Sequence, residues 1–320
     1  MAQADLAVFA EGLRKRYGET TALDGLDLAV PAGTIHGVLG PNGAGKTTAV
    51  RILSTLLRFD GGRAEVAGFD VARQAVQVRY RIGLVGQHAA VDEILSGRQN
   101  LIMFGRLYHL TRRSATFRAD ELLERFALTE AGTRPVGKYS GGMRRRLDLA
   151  ASLILSPSVL FLDEPTTGLD PRGRNEVWSA VRDLASSGTT VLLTTQYLDE
   201  ADQLADQISV IDSGRTITEG TPDQLKSVLG GDRVEIVLHP SGDLTNTAAL
   251  VGRVSGSEVE VDTESFRIST PVRDRVGTLT EVVRALHEWG VPVEDIVLRR
   301  PTLDEVFLHL VRPRHEEAAA

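Results

Sequence analysis

Gly40-Pro41-Asn42-Gly43-Ala44-Gly45-Lys46-Thr47 fits the pattern G-x-x-x-x-G-K-[ST]. Residues 34–39 before it are short and mostly apolar, as a buried strand would be, and residues 47–57 after it read as a helix. A strand, a glycine-rich turn and a helix in that order can wrap an anion. The glycines at 40, 43 and 45 let successive backbone N–H groups turn inward. The helix start adds further N–H groups and the positive end of its dipole. Lys46 then reaches the β- and γ-phosphates of a nucleotide, and the Thr47 hydroxyl ligates Mg2+. The plainer reading is a glycine-rich turn with an incidental lysine. It does not account for the full pattern in this context.

Two further elements lie downstream. Tyr139-Ser140-Gly141-Gly142-Met143 comes first, and an apolar run ending in acid, Val159-Leu160-Phe161-Leu162-Asp163-Glu164, follows it. The run places Asp163 and Glu164 at the C-terminal edge of a buried strand beside the phosphate loop, where nucleotide sites of open α/β sheets lie. Asp163 is expected to hold Mg2+ through water, and Glu164 to polarise the attacking water. A solvated acidic turn is the alternative, and Pro165-Thr166-Thr167-Gly168-Leu169-Asp170 immediately after argues against it.

The chain of 320 residues can bury a large core and hold one or two domains. With 42% hydrophobic and 25% charged residues it has the composition of a globular protein. A net charge of -7 argues against a general nucleic-acid binder. Lysine occurs only at Lys15, Lys46, Lys138 and Lys226, and the bias to arginine points to a GC-rich bacterial genome. There is no cysteine, which excludes disulfides and thiol chemistry and fits a reducing cytoplasm. No apolar run approaches the roughly 18 residues that cross a bilayer. The N-terminus does not read as a signal peptide. A role in transport would therefore need another chain to supply the pore.

The strand and helix patterns follow in order. Residues 6–30 alternate as antiparallel strands do, and residues 63–68 and 82–86 read as further strands. From about 97 to 155 the apolar spacing is helical. Strands at 159–162, 190–194 and 208–211 then alternate with helices near 172–186 and 198–206, which predicts a mostly parallel core sheet. Beyond Gly230-Gly231, strands at 234–238, 258–261, 266–269 and 296–298, a helix at 278–289 and the start of another at 301–310 suggest a small α+β appendage. The expected fold is α/β: a mostly parallel sheet with an antiparallel β subdomain and a helical subdomain, plus a small C-terminal α+β domain. Expected domains are 5–229, with the helical subdomain at about 97–155, and 231–312, with a frayed tail at 313–320.

The phosphate loop, Ser140-Gly141-Gly142 and Asp163-Glu164, in that order, resemble the ATPase subunit of an ATP-binding cassette (ABC) transporter, over about residues 5–228. The resemblance implies ATP and Mg2+ as cofactors. It assigns Gly40, Pro41, Asn42, Gly43, Ala44, Gly45, Lys46, Thr47 and Thr48 to the nucleotide, and Thr47, Gln87 and Asp163 to the metal. Tyr17 would stack on adenine, or else serve as a strand core residue. Gln87, after Leu84-Val85-Gly86, resembles the glutamine that touches Mg2+ or the attacking water and senses the membrane partner. Ser140, Gly141 and Gly142 resemble the signature that opens a helix and binds the γ-phosphate held by the opposite subunit. Asp170 resembles the residue that couples the two sites. Lys46, Gln87, Glu164 and Gln196 are the catalytic candidates.

Two positions depart from the common pattern. Met143 stands where glutamine is usual, and Gln196, in Thr194-Thr195-Gln196-Tyr197-Leu198-Asp199-Glu200, stands where most relatives have a histidine. Glutamine donates a hydrogen bond to the γ-phosphate but carries no charge. With Tyr-Ser-Gly-Gly-Met-Arg-Arg-Arg-Leu-Asp and the later Leu303-Asp304-Glu305-Val306-Phe307-Leu308, Gln196 narrows the resemblance to ATP-binding subunits of daunorubicin/doxorubicin-type resistance exporters.

That resemblance implies a homodimer with ATP sandwiched between subunits and an integral-membrane permease partner. No nucleic acid is expected. The cargo would be a drug, an antibiotic or a lipid, and the location the cytoplasmic side of a bacterial plasma membrane. The 303–308 element would support subunit assembly, or simply close the small domain as an amphipathic helix. The ATPase core leaves an importer open. A soluble ABC ATPase acting on a non-transport partner is the second reading. Ribosome-acting relatives usually carry two cassettes, and chromosome-organising ones need long heptad arms for which the roughly 90 residues between loop and signature are too few. A binding-only cassette is the third, opposed by intact Lys46, Asp163 and Glu164.

Overall fold

Alternating and continuous apolar runs build different sheets in the computed structural model, which describes residues 6–227, 232–240, 242–272 and 274–307. β1 (Leu6–Tyr17) and β2 (Thr20–Pro31) pair antiparallel across a turn at Gly18-Glu19. β3 (Ile35–Leu39) leads through the glycine-rich loop into α1 (Lys46–Leu53). β4 (Gly61–Val66) and β5 (Phe69–Asp70) complete a four-stranded antiparallel sheet, β2-β1-β4-β5. After α2 (Ala75–Arg79) and β6 (Ile82–Val85) comes the helical block of α3 (Gly97–Leu107), α4 (Arg112–Arg125) and α5 (Gly141–Ser152). β7 (Val159–Asp163), α6 (Pro171–Ser186), β8 (Thr190–Thr195), α7 (Leu198–Leu204), β9 (Gln207–Asp212) and β10 (Arg215–Gly220) complete a first compact unit that ends at Thr221.

Six strands form the central sheet in the order β10-β9-β3-β8-β7-β6. All neighbours in it are parallel except β10, a hairpin partner of β9 at the edge. Parallel strands are covered on both faces, so they read as unbroken apolar runs. Every residue of β3, β7 and β8 is buried. The two-residue period sends alternate side chains to opposite cores. Leu160 and Leu162 pack in the core that includes α4, α5 and α6, whereas Val159 and Phe161 pack in the core of α1 and the antiparallel sheet. A histidine is sealed in this sheet among other buried polar groups: His36 on β3 is fully buried, with Nε2 2.8 Å from the equally buried Ser209 Oγ. Burial pushes its imidazole down from 6.5 to about 4.

Caps set the helix starts. At α3, Ser96 Oγ accepts from Gln99 N (3.2 Å) while Gln99 Oε1 accepts from Ser96 N (2.9 Å), a reciprocal capping box. The helix expected at 47–57 ends at Leu53, because Ser54 caps it and Thr55 turns left-handed at φ 66°.

The second unit, from Pro222, comprises α8 (Pro222–Ser227), β11 (Arg233–Leu238), α9 (Leu244–Ser255), β12 (Glu260–Asp262), β13 (Arg267–Pro271), α10 (Arg275–Glu288) and β14 (Val293–Arg299). The antiparallel sheet runs β12-β13-β11-β14, the split β-α-β arrangement of ferredoxin-like domains. Val234, Ile236, Val251, Ile268 and Val282 lie at its core. Residues 303–307 are helical, and Arg299 bonds both Glu235 and Glu305, tying this segment to the sheet. α9 was not expected, and the strand foreseen at 258–261 lies at Glu260–Asp262. The foreseen boundary at Gly230-Gly231, the end of the 301–310 helix and the tail at 313–320 lie outside the described residues.

Candidate functional site

The glycine-rich loop joins the end of β3 to α1, and Gly45 caps that helix in the left-handed region at φ 106°. A Cβ there would meet Ala22 O at 2.6 Å, so both conformation and space require glycine. Lys46 is buried, and its Nζ donates to Gly40 O (2.7 Å) and Pro41 O (3.0 Å), holding the side chain across its own loop. Burial lowers the lysine pKa, and the nearby Glu164 and Asp163 oppose that shift.

Asp163 ends β7, two strands from β3 in the sheet. β8, between them, closes the gap: Thr194 Oγ1 donates to Asp163 Oδ1 at 2.6 Å, and Thr47 Oγ1 donates to the same oxygen at 3.2 Å. The first residue beyond the strand, Glu164, sits at φ 50°. That backbone costs a non-glycine residue about 1–3 kcal/mol unless its surroundings hold it. Glu164 N donates to Thr194 O at 3.0 Å, and Thr167 Oγ1 lies 3.4 Å from Glu164 Oε2. One hydroxyl and one carboxylate on a shared oxygen form a hard donor set suited to Mg2+, which takes one or two protein oxygens and completes its shell with water and phosphate oxygens. Among the described residues no cluster of three or more His, Cys, Asp or Glu could hold a metal ion alone.

Gln87, Ser140, Gly141, Gly142 and Asp170 lie around two clefts, which Gln196 and Tyr17 do not line. Gln87, exposed beyond β6, lines a cleft of about 370 Å3 with Arg144, Arg145, Pro165, Thr167 and Gly141. Ser140, Gly141, Gly142 and Asp170 line a second, of about 550 Å3, with Arg146 and Arg172. Phosphate-loop residues line neither cleft. Ser140 Oγ caps α5 by accepting from Met143 N (3.2 Å), and Asp170 Oδ1 caps α6 by accepting from Gly173 N (2.9 Å). A Cβ on Gly142 would come within 3.2 Å of Gly173 Cα, so glycines let the two helix starts approach. Gln196 is half-buried just past β8. The adjacent Tyr197 donates its N–H to Thr195 Oγ1 (2.9 Å), and its ring lies 4.7 Å from the Arg174 guanidinium. Tyr17 ends β1 as an exposed ring, with Lys15 Nζ 5.8 Å from its centre.

Three buried charges beside these residues were not singled out in the sequence. Glu200 accepts from Thr166 Oγ1 (2.7 Å) and Trp178 Nε1 (3.0 Å), and burial raises its pKa. Arg145 and Asp148 lie on the inner face of α5, where burial lowers the arginine and raises the aspartate. A signal was present: Asp148 stands inside Leu147-Asp148-Leu149-Ala150, where an acid on an apolar helix face demands a partner.

Residues 23–167 match the ABC transporter family, and residues 220–311 match the C-terminal domain of DrrA1-3-like ATP-binding proteins. The chain is 65% identical to the daunorubicin resistance ATP-binding protein DrrA2 of Streptomyces coeruleorubidus, over 98% of each chain. It is 51% identical to the daunorubicin/doxorubicin resistance ATP-binding protein DrrA of Streptomyces peucetius, over 96% of this chain and 93% of that one. Among solved structures, a component of the ABC transporter complex cbiONQ from Clostridium perfringens superposes with a TM-score of 0.64 at 28% identity, covering 69% of this chain and 90% of the other. An ABC transporter cassette in its ADP conformation superposes with a TM-score of 0.63 at 25% identity, covering 70% and 94%. The chain belongs to the ABC transporter family, among its DrrA-type ATP-binding proteins. It is thus a nucleotide-binding ATPase whose hydrolysis is coupled to transport, and that membership implies a membrane permease as partner. No helix among the described residues is long and apolar enough to cross a membrane.

Proposed function

We propose that this chain powers export of a hydrophobic drug, antibiotic or lipid through a separate permease, working as a head-to-tail dimer on the cytoplasmic face of the membrane. The observation that carries the catalytic part is the shared oxygen of Asp163, which ties Thr47 of the phosphate loop to the strand end where Glu164 begins. The loop N–H groups and Lys46 bind the phosphates of ATP, and Tyr17 offers an exposed ring to the adenine. Thr47, Asp163 and Gln87 would hold Mg2+, which would neutralise charge on the phosphate oxygens. Glu164 orients the attacking water and accepts its proton as the bond from the γ-phosphorus to the bridging oxygen breaks. Ser140, Gly141 and Gly142 present a capped helix start to the γ-phosphate on the other subunit, with Asp170 beside them. The cargo class is supported by the resistance functions for which the relatives are named.

Inside-out vesicles carrying the permease test this. ATP-dependent uptake of a fluorescent anthracycline, abolished by Lys46→Ala, supports the export reading. Steady ATP turnover with no uptake of drug or lipid probes favours the soluble, non-transport reading.

Gln196 is proposed as a neutral contact to the γ-phosphate. Losing a hydrogen bond to a charged group costs about 1.5–3 kcal/mol, so Gln196→Ala is expected to slow turnover by about tenfold or more with ATP affinity little changed. Gln196→His keeps turnover and adds a titration between about pH 5 and 8. ATPase rate against pH with the permease present is the measurement, and unchanged turnover in Gln196→Ala removes the contact.

A further inference from the structure

We propose that Arg145 and Asp148, three residues apart on α5, are positioning residues that fasten the Gln87 segment and the backbone of Glu164 to the helix that begins with Ser140-Gly141-Gly142. The clamp is anchored at four backbone sites. Arg145 Nε donates to Pro165 O at 2.7 Å, and Nη1 donates to Gly86 O at 2.6 Å. A longer contact runs from Nη2 to Glu164 O at 3.5 Å. Asp148 Oδ1 accepts from Ala90 N at 2.8 Å, while Oδ2 faces Arg145 Nη1 at 3.4 Å. Gly86 and Ala90 bracket residues 87–89, so the pair holds both ends of the segment that carries Gln87. The same guanidinium holds the carbonyl that follows Glu164.

A buried ion pair is weak evidence for stability, because desolvation offsets much of the attraction. Arg145 and Asp148 are 6% and 4% exposed, in a helix face otherwise made of Leu147, Leu149, Ala150 and Ala151. An apolar pair could fill the same space but would leave Gly86 O, Pro165 O and Ala90 N–H without these partners. What an arginine adds is a rigid planar fork with five donors, which can meet several carbonyls in one fixed geometry; a lysine ammonium cannot reproduce that fork. The pair therefore serves register more than cohesion. A displacement of the Gln87 segment cannot occur without changing bonds that also locate Glu164 and the signature helix. This gives the sensing segment a direct mechanical route to the water-orienting carboxylate inside one subunit.

The inference rests on the catalytic reading of Glu164 and Gln87, and its test separates the two. Arg145→Gln, Arg145→Lys, Asp148→Asn and the double Arg145→Gln/Asp148→Asn variant are prepared with the permease. Turnover, KM for ATP and peptide-level hydrogen exchange are measured on each. The expected result is a kcat lowered tenfold or more with KM within threefold, faster exchange confined to the peptide spanning 86–90, partial rescue by lysine, and a double variant no worse than the worse single one. Exchange and kcat within twofold of wild type in all variants overturn the proposal. So does exchange that rises uniformly through α5 and the parallel sheet, which would make the pair merely structural. If Glu164→Gln retains full turnover, the catalytic reading falls, and localised exchange at 86–90 still decides whether the clamp exists.

Discussion

Glu164→Gln is expected to bind ATP normally and turn it over at least about a hundredfold more slowly, the lower end of the range for loss of a general base. The substitution keeps the size of the side chain and removes the carboxylate that takes the proton. It also leaves the backbone question unchanged. Position 164 lies at φ 50°, a cost that glutamate and glutamine share, and the N–H bond to Thr194 O does not involve the side chain. A fall in rate therefore reads the chemistry and not a collapse of the turn. An ATP-bound dimer should accumulate on gel filtration because the closed state no longer resolves. Near-wild-type single-turnover hydrolysis would take Glu164 out of the role of base.

Complementation between two inactive chains is the second large effect. Lys46→Ala and Ser140→Arg should each abolish turnover as homodimers, while a mixed dimer regains one intact composite site. Random pairing makes half the dimers mixed, so recovery reaches at most about a quarter of wild-type sites in a two-fold dimer. The dimer reading is supported by the cleft at Ser140-Gly141-Gly142, which no phosphate-loop residue lines. Ser140→Arg also removes the cap on Met143 N, at about 1 kcal/mol, a cost too small to unfold the subunit. Absence of recovery in verified mixed dimers would mean that loop and signature act within one chain.

The parts of the molecule that the sequence makes legible are those with two-sided burial or fixed spacing. β7 and β8 are buried along their whole length and read as unbroken apolar runs. The glycine loop is legible because position 45 tolerates no side chain. β10 is not legible because an edge strand buries little: Arg215-Thr216-Ile217-Thr218-Glu219-Gly220 shows no apolar stripe and owes its conformation to pairing with β9. α10 starts three residues before the expected position 278, because its first turn faces solvent, with Val276 73% exposed. α9 carries its signal in only Thr247, Leu250 and Val251 behind the Asp243 cap, a short stripe between two strands. At the site, motif residues name themselves through local spacing. Arg145 and Asp148 do not, because their partners are backbone atoms 58 and 59 residues upstream and about 20 downstream, which only the folded chain brings together.

His36 gives the parallel sheet a working range in acidity. Its folded value of about 4, against an ordinary 6.5, means that the unfolded chain binds a proton there which the native sheet refuses. The sign follows: stability is intact above about pH 6.5 and is withdrawn as the pH falls toward 4, by about 3 kcal/mol. Domains commonly hold only about 5–15 kcal/mol in reserve. Denaturation midpoints should fall over that interval in the wild type and flatten in His36→Gln, and equal slopes in the two would dismiss the histidine as the cause. A rate profile of this subunit recorded between about pH 4 and 6.5 therefore overlies a falling stability margin, and a His36→Gln background separates that margin from any titration introduced at position 196.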